Sequence, residues 1–402
     1  MLIIKSVLPI AMTVIFIFYY IKYKNKVEFF SYMYIALIPY FSANFSVPIY
    51  RQLLQIIVIM GFSKIVFLFL SKRKKIVLNK YELLFLLTIM MSGINASYNS
   101  LFISGITNFT FILIALILVR STTNEENIKI YLSAITTNGV ILSTFALLEF
   151  VLLNTRSEVV YSNPNYLGFY LVLSLTIYVF MFKSKSINYK DILTIVIFTL
   201  GIISTSSSSA IIGLIAVFII SSKINFKKIF KFIPVGIVTF LLIFYWSKAF
   251  LLQDFAHKLS ESNAQRIGVW SLAIDGFLEY PIFGVGYNNF PEYFMNNKYG
   301  YSDFSFLSTF FQYDFLVTHN DFLRILSETG LIGLLIFTLY IKKVISLSIK
   351  IKEIHIRKMC LSLIVVVLFF ISTHNNINSF DTWWIIGIVL YYTNNSVLVS
   401  IK

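Results

Sequence analysis

His319, Arg266, Arg324 and Glu328 are the side chains of this 402-residue chain whose types and spacing could carry chemistry. An imidazole accepts a proton from a hydroxyl near neutral pH. The run Thr318-His319-Asn320-Asp321 fits a capping box, with Thr318 as cap and Asp321 three residues later. That register puts His319 at the first position of an apolar helix, where backbone N–H groups attract phosphate and other anions. Arg324 and Glu328 are four residues apart and could pair on one face of that helix. Ionisable groups inside an apolar helix are costly and usually functional. Gly330 and Gly333 would let a neighbouring helix approach closely.

A second helix is expected from about 264 to 279, capped by Asn263 and followed by Pro281. Ile267, Trp270, Ile274 and Phe277 then form its apolar face, and Arg266 sits in its first turn. Phe283-Gly284-Val285-Gly286 reads as a turn, and two glycines are a weak sign of a phosphate cradle. The Tyr and Phe side chains crowding 293–315 suit stacking on sugar rings or, with slightly more weight, a membrane interface. His374, in His-Asn-Asn-Ile-Asn, could line the same site, whereas His257 and His355 read as ordinary surface residues. The chain has no Asp-x-Asp, no His-Glu-x-x-His, no Cys/His cluster and no phosphate-binding P-loop, so no metal and no cofactor is expected.

The elements that must position these groups are membrane spans. Hydrophobic residues make up 58% of the chain, charged residues only 13%, and the mean hydropathy is +0.81. No soluble domain hides that much apolar side chain. Apolar runs fall at 3–21, 30–49, 52–71, 82–97, 100–119, 130–153, 166–182, 191–205, 208–222, 230–249, 323–341, 359–373 and 381–397. The first lacks a small-residue cleavage site and reads as a retained span. The expected fold is all-α, a polytopic transmembrane bundle of about 12–13 spans. It forms a single integral membrane domain over 1–402, with one large outward-facing loop at 250–322. With alternating loops, most of the 33 Lys and Arg fall on the inner side, including Lys72 to Lys75, Lys183, Lys227, Lys228, Lys342, Lys343 and Lys358. The net charge of +15 therefore follows topology, and nucleic acid is not an expected partner. Lys64 and Glu149 lie toward span ends, which argues mildly against a proton-driven transporter.

The run Arg266…Trp270…Pro281-Ile282-Phe283-Gly284-Val285-Gly286…Asn289-Phe290…His319-Asn320…Leu323…Glu328…Gly330-Leu331-Ile332-Gly333 resembles the O-antigen ligase and O-antigen polymerase superfamily. Ser162-Asn163-Pro164-Asn165 resembles a further element of that family on an earlier outer loop. The resemblance implies a GT-C-like membrane glycosyltransferase of the bacterial plasma (inner) membrane, with its active site on the extracytoplasmic face. It implies metal-independent, inverting transfer from an undecaprenyl-diphosphate-linked glycan donor to a glycan acceptor. By position, His319 acts on the acceptor hydroxyl and Arg266 holds the donor diphosphate. Arg324, Asn320, Glu328, Asn163 and Asn165 are the further substrate-binding candidates. Membrane lipid, a flippase and chain-length regulator proteins are the implied partners. One departure is that the family's Ser-Arg pair near Ser206 to Ala210 lacks its arginine here, with serine, most naturally Ser208, in its place. Arg324, Arg156 or Lys258 would then substitute. The leading expectation is a polymerase joining lipid-linked repeat units into O-antigen, capsule or exopolysaccharide. A ligase moving finished glycan to lipid A-core or another acceptor is the alternative. A polysaccharide transporter or flippase, and a structural subunit of an assembly complex, come after it.

Overall fold

The computed structural model describes residues 27–41, 48–71, 79–161, 163–183, 188–221, 266–297 and 317–399. The first expected span, the span at 230–249, Asn263, His257 and Lys258 lie outside them, as does most of the aromatic stretch 293–315. Thirteen helices are present among the described residues, and no strand. They are α1 (Val27–Phe41), α2 (Pro48–Leu70), α3 (Lys80–Ser92), α4 (Asn99–Thr122), α5 (Glu125–Leu153), α6 (Pro164–Ile177), α7 (Tyr189–Ser204) and α8 (Ser208–Ser221). Helix α9 runs over 266–279. It is followed by α10 (Phe290–Asn297), α11 (Asp321–Ile349), α12 (Ile354–Thr373) and α13 (Phe380–Val399).

Five of these elements are long and apolar enough to cross a membrane: α4, α5, α6 with its π-helical extension to Phe182, α11 and α12. They are apolar on both sides. Leu113, Leu132 and Leu171 are buried, while Ile103, Val151 and Leu152 face outward from the same set of helices. A soluble helix would carry polar side chains outward; hydrocarbon solvent removes that requirement. The protein is an all-α polytopic membrane bundle.

Local rules explain the element ends. Asn79, Asn124, Asn163, Asn188 and Asn320 cap α3, α5, α6, α7 and α11, each accepting a backbone N–H through its side chain. Asn154, at φ 51, closes α5 in the left-handed region that asparagine tolerates. A Cβ on Gly168 would lie 2.6 Å from the Ala210 Cβ, so its absence lets α6 and α8 touch.

An aromatic column joins α3, α4, α11 and α13. Phe85 meets Phe109 edge-on at 5.4 Å, Phe109 meets Trp383 at 5.2 Å, and Trp383 stacks on Tyr340 at 6.0 Å. Below it, Arg120 grips Glu82 with two hydrogen bonds of 2.8 and 2.6 Å, and Tyr340 donates to Glu82 at 2.8 Å. Tyr340 is roughly 28 Å along α11 from Asp321 at about 1.5 Å per residue, so this clamp anchors the far end of the helix whose start carries the site. Arg120→Met should lower stability by about 3–5 kcal/mol, because it leaves Glu82 buried and unpaired. The double variant Arg120→Met with Glu82→Leu should recover most of that loss. Thermal unfolding in detergent checks both.

Candidate functional site

Helix α11 starts later than the capping-box reading expects. Asn320 is the cap, accepting the N–H groups of Phe322 at 3.0 Å and Leu323 at 3.1 Å. Asp321 is the first helical residue, and its carboxylate accepts the N–H of Asn376 at 2.6 Å and of Ile377 at 2.7 Å. The Thr318 hydroxyl lies 3.0 Å from both Asn320 O and Asn375 Oδ1. His319 therefore precedes the helix, at φ 49, a conformation that costs a non-glycine residue energy. Its position is held from both sides, because Trp270 of α9 donates to Thr318 O at 2.8 Å.

Glycines mark the second departure. Gly330 does not admit a neighbouring helix. It breaks α11, with φ 68 and ψ −168, and any Cβ there would collide with the Ile282 carbonyl. The chain at 281–286 inserts at the break. Leu331 N–H reaches Pro281 O at 2.9 Å, Val285 N–H reaches Ser327 O at 2.8 Å, and Gly286 N–H reaches Glu328 O at 3.2 Å. Gly284 N–H is spent on Tyr280 O at 2.8 Å. The glycine turn has thus committed its amides to α11 and is not a phosphate cradle. Asn95, Tyr98 and Ser92 fasten the same loop through Gly284 O, Asn289 Oδ1 and Tyr287 N.

Arg324 and Glu328 do pair, at 3.1 Å, and both are buried. Arg324 also donates to Asn288 Oδ1 at 3.1 Å and lies over the Tyr287 ring. Turning the Asn378 amide lets its oxygen accept from Arg324 at 3.0 and 3.2 Å. These partners tie Arg324 to the 284–290 loop. Asn320 and Asn163 likewise use their side-chain oxygens as helix caps, Asn163 accepting from Asn165 N at 2.8 Å. Asn165 is half-buried one residue from Tyr166, whose hydroxyl donates to Asn375 O at 3.3 Å. The Asn163-Pro164-Asn165 element therefore abuts the 374–378 loop.

Arg266 is different. It begins the described part of α9, is half-buried, and has no hydrogen bond or ion pair among the described residues. Helix α9 buries Val269, Leu272 and Ala273 against Phe290 and Phe294 of α10. Ile267 and Ile274, expected on the packed face, are exposed together with Leu278 and Ile282. Two apolar stripes run along this helix, and α10 selects the other one.

Burial pushes the His319 imidazole down to about 4, and the adjacent Arg266 charge adds to the shift. His374 is pushed down to about 3 by burial and by the facing His319, Arg266 and Arg156. Both rings are neutral at physiological pH and can accept a proton. Arg156, which the sequence offered as one substitute for the missing family arginine, donates to Thr205 O at 3.3 Å and so reaches the turn before Ser208. The Ser157 hydroxyl and the Glu158 and Val159 amides all bond the Glu149 carboxylate, which secures this loop. Sequence reasoning did not single out Asn375, Asn376 or Ser209, although the density of asparagine after α12 was a visible signal.

Residues 193–338 match the family model described as O-antigen ligase. Over these residues the chain is similar to the O-antigen ligase and polymerase superfamily. The match spans α9, the 281–286 loop, His319 and the break at Gly330, and it leaves Arg156, Asn163, Asn165 and His374 outside. No curated protein matches the chain.

Replacing Arg266 with Gln removes one cause of the His319 shift, so the imidazole should titrate at higher pH than in the parent protein. Addition of pyrophosphate, which offsets the same charge, should move it in the same direction. Histidine-selective NMR titration of the detergent-solubilised protein measures both; an unmoved His319 in both cases would separate the two side chains.

Proposed function

We propose that the protein is a glycosyltransferase of the bacterial plasma membrane that transfers glycan from an undecaprenyl-diphosphate carrier on the extracytoplasmic face. The observation that carries this reading is the neutral, strained His319 beside Arg266, whose cation has no carboxylate among the described residues. A half-buried cation without a carboxylate is suited to an anionic ligand, and a neutral imidazole is suited to a hydroxyl.

In this mechanism His319 accepts the proton of the acceptor hydroxyl, or orients that hydroxyl, as its oxygen attacks the anomeric carbon. The bond from that carbon to the diphosphate breaks on the opposite side, which inverts the centre. Arg266 stabilises the charge that develops on the departing diphosphate, where its contribution exceeds that in the ground state. Arg156 supplies the second positive charge from the loop against Thr205, in place of the family arginine absent near Ser208. Arg324, Glu328 and Asn320 hold the geometry without touching substrate.

The polymerase reading is favoured over the ligase reading because the missing arginine departs from the shared pattern toward the more divergent branch. A ligase acting on lipid A-core or another acceptor uses the same site with a different acceptor. The transporter reading is less well supported: the site's ionisable groups gather at one end, and the buried pair Glu82–Arg120 is already neutralised.

Lys keeps charge but loses the forked guanidinium. Arg266→Lys should therefore slow undecaprenyl diphosphate release by about 10-fold or more in proteoliposomes supplied with extracted lipid-linked glycan. Arg156→Gln should slow it by a similar factor, and EDTA should leave the rate unchanged. A wild-type rate in both variants would remove the arginines from the site, and an EDTA loss restored by magnesium would contradict metal-free transfer.

A further inference from the structure

The loop after α12 carries a chain of hydrogen bonds whose direction can be worked out. His374 Nε2 lies 2.9 Å from Ser209 Oγ, Ser209 Oγ lies 3.2 Å from Thr373 Oγ1, and Thr373 Oγ1 donates to Phe369 O at 3.0 Å. A hydroxyl has one proton. Thr373 spends its proton on a carbonyl, which can only accept. The proton between Ser209 and Thr373 is therefore that of Ser209. The proton between His374 and Ser209 must then belong to the imidazole. His374 is thus the Nε2–H tautomer, and its Nδ1 carries a lone pair with no partner among the described residues.

This ring stands next to His319. Its neighbour Asn375 meets Thr318 at 3.0 Å, and the following two residues hold Asp321 through their amides. Nδ1 is therefore an acceptor that a hydroxyl can still reach beside His319.

Resting on the transferase reading above, we propose that His374 lies in the acceptor-sugar subsite, with its Nδ1 accepting a hydrogen bond from an acceptor hydroxyl. The lone pair on Nδ1 selects the ligand class, because a hydroxyl can give it a hydrogen bond. A diphosphate oxygen has no proton to give a neutral imidazole and is repelled by its lone pair. The anionic carrier therefore lies with Arg266 and Arg156, and the sugar of the acceptor lies with the 374–375 loop. The same division holds whether the acceptor is a second lipid-linked glycan or a different molecule, since each presents a sugar hydroxyl.

Two substitutions separate this role from a structural one. His374→Asn keeps a polar atom at the δ position and gives up the bond to Ser209. His374→Gln keeps a polar atom at the ε position, facing Ser209, and gives up the δ acceptor. Transfer is measured in proteoliposomes with extracted lipid-linked glycan, and carrier binding with undecaprenyl diphosphate alone. The expected result is that Gln lowers transfer about tenfold or more, that Asn retains several times more activity than Gln, and that carrier binding changes less than about twofold in either. A Gln variant equal to or better than Asn, two wild-type-like variants, or loss of carrier binding together with transfer would overturn it. His319→Ala, run beside them, keeps the two claims apart. If the parent protein shows no transfer, the transferase reading fails; if the parent transfers and His319→Ala is inactive while His374→Gln is wild-type-like, only the acceptor subsite fails.

Discussion

The Asp321 carboxylate accepts the backbone N–H groups of Asn376 and Ile377, and those two short bonds hold the start of α11 against the loop after α12. The rest of the site is arranged around that junction. Because Asp321 is used at long range, Asn320 must cap the helix, and His319 is pushed out of the helix into a left-handed turn. Thr318 and Trp270 then close the turn from the side of α9. A second backbone constraint supports the first. Helix α11 is interrupted at Gly330 inside an apolar bundle, where free N–H and C=O groups are expensive. The 281–286 segment satisfies them, and in doing so it is held rigidly between α3, α4 and α11. The scaffold is thus strained and over-determined where it approaches His319, as expected of a pre-organised site.

Four arginines of the described bundle, Arg120, Arg156, Arg266 and Arg324, divide into two kinds. Arg120 and Arg324 each face a buried carboxylate and further polar partners. Removing either would expose an uncompensated charge, so both serve stability and geometry. Arg266 has no such carboxylate among the described residues, and Arg156 meets a backbone carbonyl at one nitrogen. The Arg266 charge, without a carboxylate among the described residues and beside two neutral histidines, favours an anion next to a proton acceptor. A diphosphate leaving group and an attacking hydroxyl are one such pair.

Much of the bundle was legible because long apolar runs have few alternatives in a membrane. The spans expected at 100–119, 130–153, 323–341, 359–373 and 381–397 all appear as helices. Local ambiguity produced the differences. Thr318-His319-Asn320-Asp321 offers two capping registers, and only the distant Asn376 and Ile377 amides decide between them. Helix α9 has two apolar stripes, and periodicity cannot say which one α10 covers. Arg324 and Glu328 were correctly paired by their spacing. The commitment of Arg324 to Asn288 and Tyr287 depends on a loop 36 residues earlier, and no sequence pattern reports it. The glycines of 284–286 signalled a close backbone approach, but the approaching group is α11 and not a phosphate.

The central claim is that His319 performs transfer from a lipid carrier. It is tested most directly by mass analysis of the lipid-linked pool and the surface glycan in cells carrying His319→Ala beside the parent. The account predicts normal protein in the membrane, loss of transferred glycan, and donor accumulating on undecaprenyl diphosphate outside the membrane. Single repeat units in that pool mark a polymerase, and long chains mark a ligase. An unchanged glycan profile with an unchanged pool would contradict the account.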